Sequence, residues 1–270
     1  MGTAEVLRDL ALETAREGAA LARRMRAEGI DVADTKSSVV DVVTEADRAV
    51  EALLRERLLA ARPDDAVLGE EGDDVAGTSG VRWVLDPIDG TVNYLYGLPD
   101  CAVSVAAEVD GEPVAGVVVA IPSGVEYAAA RGAGATRDGH RIAVRPSPPV
   151  PERLVLTGFG YRADVRAHQA ACVARMLPRV RDVRRMGSCA LDLCHVADGS
   201  ADGYVEEGPQ LWDYAAGRLV VSEAGGRFGV LPGRLRESVE DASADALLAA
   251  APAEGWDEFL ALLADCGFAS

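Results

Sequence analysis

From Val6 to Glu28 the apolar residues Leu7, Leu10, Ala11, Leu21 and Met25 recur near helical spacing, with Arg and Glu between them. Gly29 follows as a stop, so the pattern predicts an amphipathic opening helix. A second helix is predicted over Thr44–Ala61, with Val50, Leu53, Leu54 and Leu58 on one face and Pro63 closing it. The segment 31-DVADTKSSVVDVV-43 between them reads as a loop, which puts two long helices ahead of any strand. The period then changes. The runs 102-AVSVAAEV-109 and 114-VAGVVVAI-121 are short and β-prone, and Asp110-Gly111 between them is a hairpin signal. A strand near Val125–Ala130 and the turn Asp138-Gly139 extend this into an antiparallel meander. The stretch 146-PSPPVP-151 interrupts both patterns. Beyond it, strand-like runs (Leu154–Phe159, Gly203–Glu206, Ala246–Ala250) alternate with helix-like ones. We therefore expect an N-terminal α+β domain over 1–146 and a C-terminal α/β domain over 147–270, with no internal repeat.

Composition narrows the picture. With 49% apolar residues in 270, the chain can bury a sizeable core. A formal charge of -17 argues against nucleic acid as a partner, because binding a phosphate backbone requires clustered Lys and Arg. Gathered carboxylates have another use: they hold divalent cations, which recruit an anionic substrate that the bare protein would repel. The cysteines Cys101, Cys172, Cys189, Cys194 and Cys266 form no C-x-x-C pair and are odd in number, which speaks against a disulfide framework or a zinc site. A reducing cytoplasm fits this usage. The N-terminal stretch is charged too early for a signal-peptide core, and no apolar run reaches membrane-spanning length, so neither export nor a membrane is expected.

The candidate chemistry starts at 83-WVLDPIDGTVN-93, where two aspartates flank a proline at the end of an apolar run. Asp86, Pro87, Asp89 and Gly90 are residues that turns favour, so this stretch alone reads equally as a turn or as a site. The other acidic motifs also have two readings. The pair in 68-LGEEG-72 is a solvated loop or a source of ligands. Asp213 in 212-WDYAAG-217 is a helix N-cap or a ligand. Asp47 lies three residues after Thr44, as in a capping box, with Val43 as a staple residue. Together they are more specific. Oxygen-rich sites without Cys or His select Mg²⁺, Mn²⁺ or Ca²⁺, and two such ions can clamp the attacking and leaving oxygens of a phosphoryl transfer. If Asp86 ends a strand and Thr91 begins a helix, amides near Gly90 and Thr91 face an anion site.

These motifs resemble the inositol monophosphatase family of magnesium-dependent, lithium-sensitive phosphatases. The matching residues are Lys36 and Ser37 with 41-DVVTEAD-47, 69-GEE-71, 83-WVLDPIDGT-91 with Asn93, 187-GSCALDLCHVADGSADGYVE-206, 212-WDYAAG-217 and 223-EAGG-226. The resemblance implies a layered αβαβα sandwich and a homodimer. The N-terminal helices would lie on an antiparallel sheet, and the C-terminal sheet would be flanked by helices. It further implies that Glu70, Asp86 and the Ile88 carbonyl hold a first Mg²⁺ and that Asp86, Asp89 and Asp213 hold a second, with Glu70 helping to place a third through water. Gly90 and Thr91 would bind phosphate through the main chain, and Asp47 and Thr91 would orient the attacking water. Glu70, Asp47 and Thr91 are thus the catalytic candidates.

The alcohol is less defined. By resemblance, Asp89, Asp213, Glu206 and the backbone near Cys189 face the hydroxyls of a small phosphorylated polyol, with Lys36 beside them; Glu206 also reads as a surface strand carboxylate. Cys189 stands where alanine is common in relatives, and Tyr161 where a smaller hydroxyl residue is common. Cys189 itself reads as a small packed residue, since its sequence neighbourhood offers no base. His140, His168 and His195 lack metal-ligand spacing. Arg184 and Arg185 read as a solvated strand end or as acceptors of a second phosphate. Histidinol phosphate, 3′-phosphoadenosine 5′-phosphate and fructose 1,6-bisphosphate stay open beside inositol monophosphate as substrates. A regulatory module on a phosphatase fold and an acidic Ca²⁺-binding protein are the readings from other classes, the last without any EF-hand spacing.

Overall fold

A computed structural model describes residues 3–29, 32–35, 42–232 and 246–269. Lys36 and Ser37 lie outside the described residues. Helices α1 (Thr3–Glu28) and α2 (Glu45–Ala61) form as the periodicity predicts, and Thr44 caps α2 in a capping box with Asp47. The buried stripe of α1 departs from the expected one. Leu7 and Ala11 are continued by Ala15, Gly18, Ala19 and Ala22, while Leu10, Leu21 and Met25 are only partly buried. Small residues let α1 approach its neighbours closely: a Cβ on Gly18 would stand 3.0 Å from Leu54 Cδ2 of α2.

The segment between these helices corrects an expectation. It contains β1 (Val32–Thr35) and β2 (Val42–Thr44), paired antiparallel, so strands do precede the second helix. The main N-terminal sheet has seven strands: β3 (Ala66–Gly69), β4 (Val81–Asp89), β5 (Ala102–Val109), β6 (Glu112–Ala120), β7 (Glu126–Ala130), β8 (Gly134–Arg137) and β9 (His140–Arg141), side by side in that order. The hairpin at Asp110-Gly111 has both residues at positive φ (54° and 77°), as a tight two-residue turn requires. The sheet is not wholly antiparallel, because β3 runs parallel to β4.

The second sheet has the order β11-β10-β12-β14-β13, from β10 (Leu154–Thr157), β11 (Asp182–Arg184), β12 (Gly203–Glu207), β13 (Gly226–Pro232) and β14 (Ala246–Pro252). Five further helices are described: α3 (Thr91–Tyr96), α4 (Ala163–Met176), α5 (Cys189–Ala197), α6 (Leu211–Glu223) and α7 (Trp256–Cys266).

Strand alternation assigns the layers. In β5, Val103, Val105 and Ala107 pack towards α1 and α2, while Ala102 and Ala106 pack towards α5 and α6. In the second sheet, Tyr204, Leu248 and Ala250 join that same central core, while Val205, Leu247, Ala249 and Ala251 pack with α4 and α7 residues such as Met176 and Phe259. The result is the αβαβα sandwich, with α5 and α6 as the middle layer. Their shared core draws on residues from both sides of position 146. No helix among the described residues is long and apolar enough to cross a membrane.

Candidate active site

Strand β4 is buried along nearly its whole length and runs through Asp86 to Asp89, where its pairing with β5 shifts register. That irregularity places two aspartates of one strand beside each other in space. Asp86 accepts the Ile88 N–H on Oδ1 at 3.0 Å, which folds the Pro87 turn back onto its own carboxylate. Gly90 follows at φ 87°, and a Cβ there would meet the carbonyl oxygens of Asp100 and Gly187 at 2.8 and 2.9 Å. Only glycine fits that position. Helix α3 then starts at Thr91.

Helix starts converge on this point. At α2, Asp47 accepts the Thr44 N–H and hydroxyl on Oδ2 at 2.8 and 2.5 Å, leaving Oδ1 3.2 Å from Thr91 Oγ1. The capping-box and site readings of Asp47 are therefore compatible in geometry. Thr91 Oγ1 also lies 3.0 Å from the Ile88 carbonyl. At α5, Asp89 Oδ2 accepts Ser188 Oγ–H at 2.5 Å and Ala190 N–H at 2.7 Å. At α6, Gln210 is the N-cap, and Asp213, three residues further in, occupies N3 and accepts Gln210 N–H on Oδ2 at 2.5 Å. The N-cap reading of Asp213 is corrected accordingly, since the cap is reciprocal and its acid comes from inside the helix.

Buried Asp86 and Asp89 and half-buried Asp213 each present a carboxylate oxygen, and these atoms lie within 4.8 Å of one another. Glu70 is not one of this trio, but its charge acts on both Asp86 and Asp213. Burial, then the charges of Glu70, Asp89 and Asp213, pushes the Asp86 carboxyl well above the usual range. Burial and the charges of Asp89 and Glu70 do the same to Asp213. Asp89 rises to about 6 through burial, an effect that its bonds from Ser188 and Ala190 oppose. Asp47 is also raised by burial, against the bonds from Thr44. Like charges this close favour a cation among them, and an all-oxygen donor set suits Mg²⁺ or Mn²⁺.

The C-terminal half contributes further candidate residues. Glu206 of β12 accepts the Tyr204 hydroxyl at 2.9 Å and is partly buried. Burial lifts its carboxyl to about 7, while Tyr204 and the Arg185 charge pull it down. It is thus no ordinary surface strand carboxylate. Cys189 is 7% exposed and its thiol is raised well above its ordinary value by burial, which fits a packed residue. Arg184 pairs with Asp182 at 2.5 Å, whereas exposed Arg185 exerts its charge on Asp89, Glu206 and Asp192. Tyr161 is 43% exposed. The two halves are joined by Asn93, whose Nδ2 donates to the Asp100 and Met186 carbonyls at 2.7 Å each. The sequence showed Asn93 only as part of a motif. Its bridging role depends on a carbonyl 93 residues away.

The sequence matches the Inositol monophosphatase family over residues 4–265. It is 47% identical to the "Inositol-1-monophosphatase" of Mycobacterium leprae over 271 residues, spanning 91% of this chain and 93% of that protein. It is 42% identical to the "Nus factor SuhB" of Xylella fastidiosa over 192 residues, 71% of this chain and 70% of the relative. The fold superposes on the solved structure of "Mycobacterium tuberculosis SuhB" with a TM-score of 0.83 at 42% identity, covering 99% of each chain. With its layered fold and the ordered acidic motifs, this chain belongs to the inositol monophosphatase family.

Proposed function

We propose that the chain hydrolyses a small phosphate monoester, with myo-inositol monophosphate as preferred substrate and Mg²⁺ as cofactor, Mn²⁺ being able to replace it. The observation that carries this reading is the trio of carboxylates within 4.8 Å, set beside the start of α3. Asp86, Asp89 and Asp213, with Glu70 and the Ile88 carbonyl, would hold the ions. When bound, such ions supply positive charge to the phosphoryl oxygens and a water acidic enough to ionise near neutral pH.

The chain's own groups do the rest. Main-chain amides at Gly90 and Thr91 would bind the phosphoryl oxygens, since the left-handed Gly90 brings the backbone close without a side chain in the way. The Thr91 hydroxyl has one proton and two acceptors within reach, Asp47 Oδ1 and the Ile88 carbonyl, and its lone pairs remain to orient a water. Asp47, raised by burial, suits the acceptance of that water's proton. The water oxygen bonds to phosphorus as the ester P–O bond breaks. The departing electron pair stays on the alcohol oxygen, which takes up a proton from solvent, while Asp47 returns the proton it accepted to solvent. Glu206, Asp89, Asp213 and the Cys189 backbone would face the polyol hydroxyls, with Lys36 as a further contact. Lithium sensitivity, a homodimer and a cytoplasmic location belong to the same reading.

The test is a panel of inositol 1-phosphate, histidinol phosphate, 3′-phosphoadenosine 5′-phosphate and fructose 1,6-bisphosphate, assayed with Mg²⁺ and with added lithium. Lithium-inhibited turnover is expected, fastest on inositol 1-phosphate, and a faster ester would displace it as substrate. The Nus factor name of a 42% identical relative favours a second reading, a regulatory role on the same fold. Hydrolysis of none of the four esters would shift the assignment to that role.

A further inference from the structure

The loop that carries Glu70 is fixed by two α2 residues that no motif singles out. Glu51, one turn beyond Asp47, is only 2% exposed. Its Oε2 accepts the Glu71 N–H at 2.7 Å, and its Oε1 accepts the Gly72 N–H at 2.9 Å and Arg55 Nε–H at 2.7 Å. Arg55, one turn further on, donates Nη1 to the Asp73 carbonyl at 2.8 Å and Nη2 to the Gly72 carbonyl at 3.2 Å. Two side chains therefore hold the main chain of 71–73 from both its donor and acceptor sides.

The glycines around Glu70 fit this clamp. A Cβ on Gly69 would stand 2.4 Å from Glu51 Oε1 and 2.7 Å from Arg55 Nη2, and one on Gly72 would stand 2.9 Å from the same Oε1. Side chains there would lift the loop off α2. A carboxylate as buried as Glu51 requires partners, and its partners are the loop amides and Arg55, so the orientation of the clamp is fixed by the cost of leaving it unmade. Helix α2 also carries Asp47, which reaches Thr91. One rigid element thus registers Asp47 and the Glu70 loop against each other.

We infer that Glu51, braced by Arg55, is a positioning residue that sets the Glu70 loop for cation binding. The inference rests on the metal-dependent reading proposed above. It is tested in the full chain with Glu51→Gln, which replaces one acceptor oxygen by a donor facing the loop amides. Calorimetry with Mg²⁺ alone should show affinity weakened by about 10-fold or more, as for other residues that orient metal ligands. The Mg²⁺ concentration for half-maximal rate should rise in step, while kcat at saturating Mg²⁺ falls by less than about threefold, the split that separates positioning from chemistry. Amide exchange at Glu71 and Gly72 should accelerate. Faster exchange with unchanged Mg²⁺ affinity would overturn the inference, because the clamp would then shape the loop without serving the cation. A kcat loss that saturating Mg²⁺ does not restore would overturn it too. Should Glu51→Gln fail to fold, Arg55→Gln carries the test, with a smaller shift in the same direction expected and no shift counting against it. A wild-type chain that binds no Mg²⁺ refutes the metal-dependent reading itself and the inference with it.

Discussion

The two sides of the candidate site are built differently. On the side proposed to bind phosphate, Asp47, Asp86, Asp89 and Asp213 are each tied to backbone or hydroxyl donors, three of them accepting from groups at helix starts, and Gly90 is confined by two carbonyls. On the side proposed to face the alcohol, Glu206 accepts the Tyr204 hydroxyl, and Arg185 and Tyr161 are exposed. Under the proposed function the contrast separates chemistry, which requires fixed geometry, from selectivity, which tolerates fewer contacts.

Substitution on the rigid side should break this contrast most severely. Asp213→Asn keeps an acceptor for the Gln210 amide but removes a charge from the trio. Turnover should fall on the order of 10³-fold or more, several kcal/mol of barrier. Melting of the metal-free protein should scarcely change, because the amide oxygen keeps the Gln210 bond; retained Mg²⁺-dependent turnover would refute the site. Next in size is the bridge between the sides. Asn93→Ala leaves the Asp100 and Met186 carbonyls without their donor, at a cost of about 1–3 kcal/mol. That should lower Tm by several degrees in a thermal melt, and an unchanged Tm would mean that the bridge is not needed.

The looser side should give smaller and more selective effects. Glu206→Gln should reduce kcat/KM for inositol 1-phosphate about tenfold, about 1.4 kcal/mol, with p-nitrophenyl phosphate hydrolysis nearly intact. Equal losses on both esters would place Glu206 in the chemistry instead. The same variant makes the smallest prediction, in pH. Glu206 has a folded pKa of about 7 against an ordinary 4.5, so the folded state holds its proton more tightly than the unfolded state does. The wild type should lose stability as pH rises through that window, and the variant should lack this term. Its Tm advantage should therefore grow between pH 5 and pH 8, as thermal melts of the metal-free protein would show.

The sequence made the rigid side readable for a physical reason. Turn, cap and ligand chemistry all call on Asp, Gly and Thr at short spacings, so DPIDGT and TEAD carry signals for both structure and site. The pairings hidden from it are long-range or ordinary in appearance. The β1–β2 pair was missed because polar residues interrupt the segment, and β13 because its burial is irregular and its last residue is proline. The parallel register of β3 on β4 cannot be read from either strand alone. Glu51 and Arg55 look like a routine i,i+4 pair on a helix face. Only the folded loop reveals what else they hold.

The aspartates that accept from the starts of α2, α5 and α6 (Asp47, Asp89 and Asp213) each spend one oxygen on the scaffold, and this has an evolutionary consequence. Selection for folding alone would retain an acceptor at each position, since losing it uncaps a helix or leaves a buried donor unmet. A descendant recruited to a regulatory task could stop turning over phosphate esters and still keep an acceptor, aspartate or asparagine, at each of these three positions, preserved by stability where catalysis no longer protected the charge.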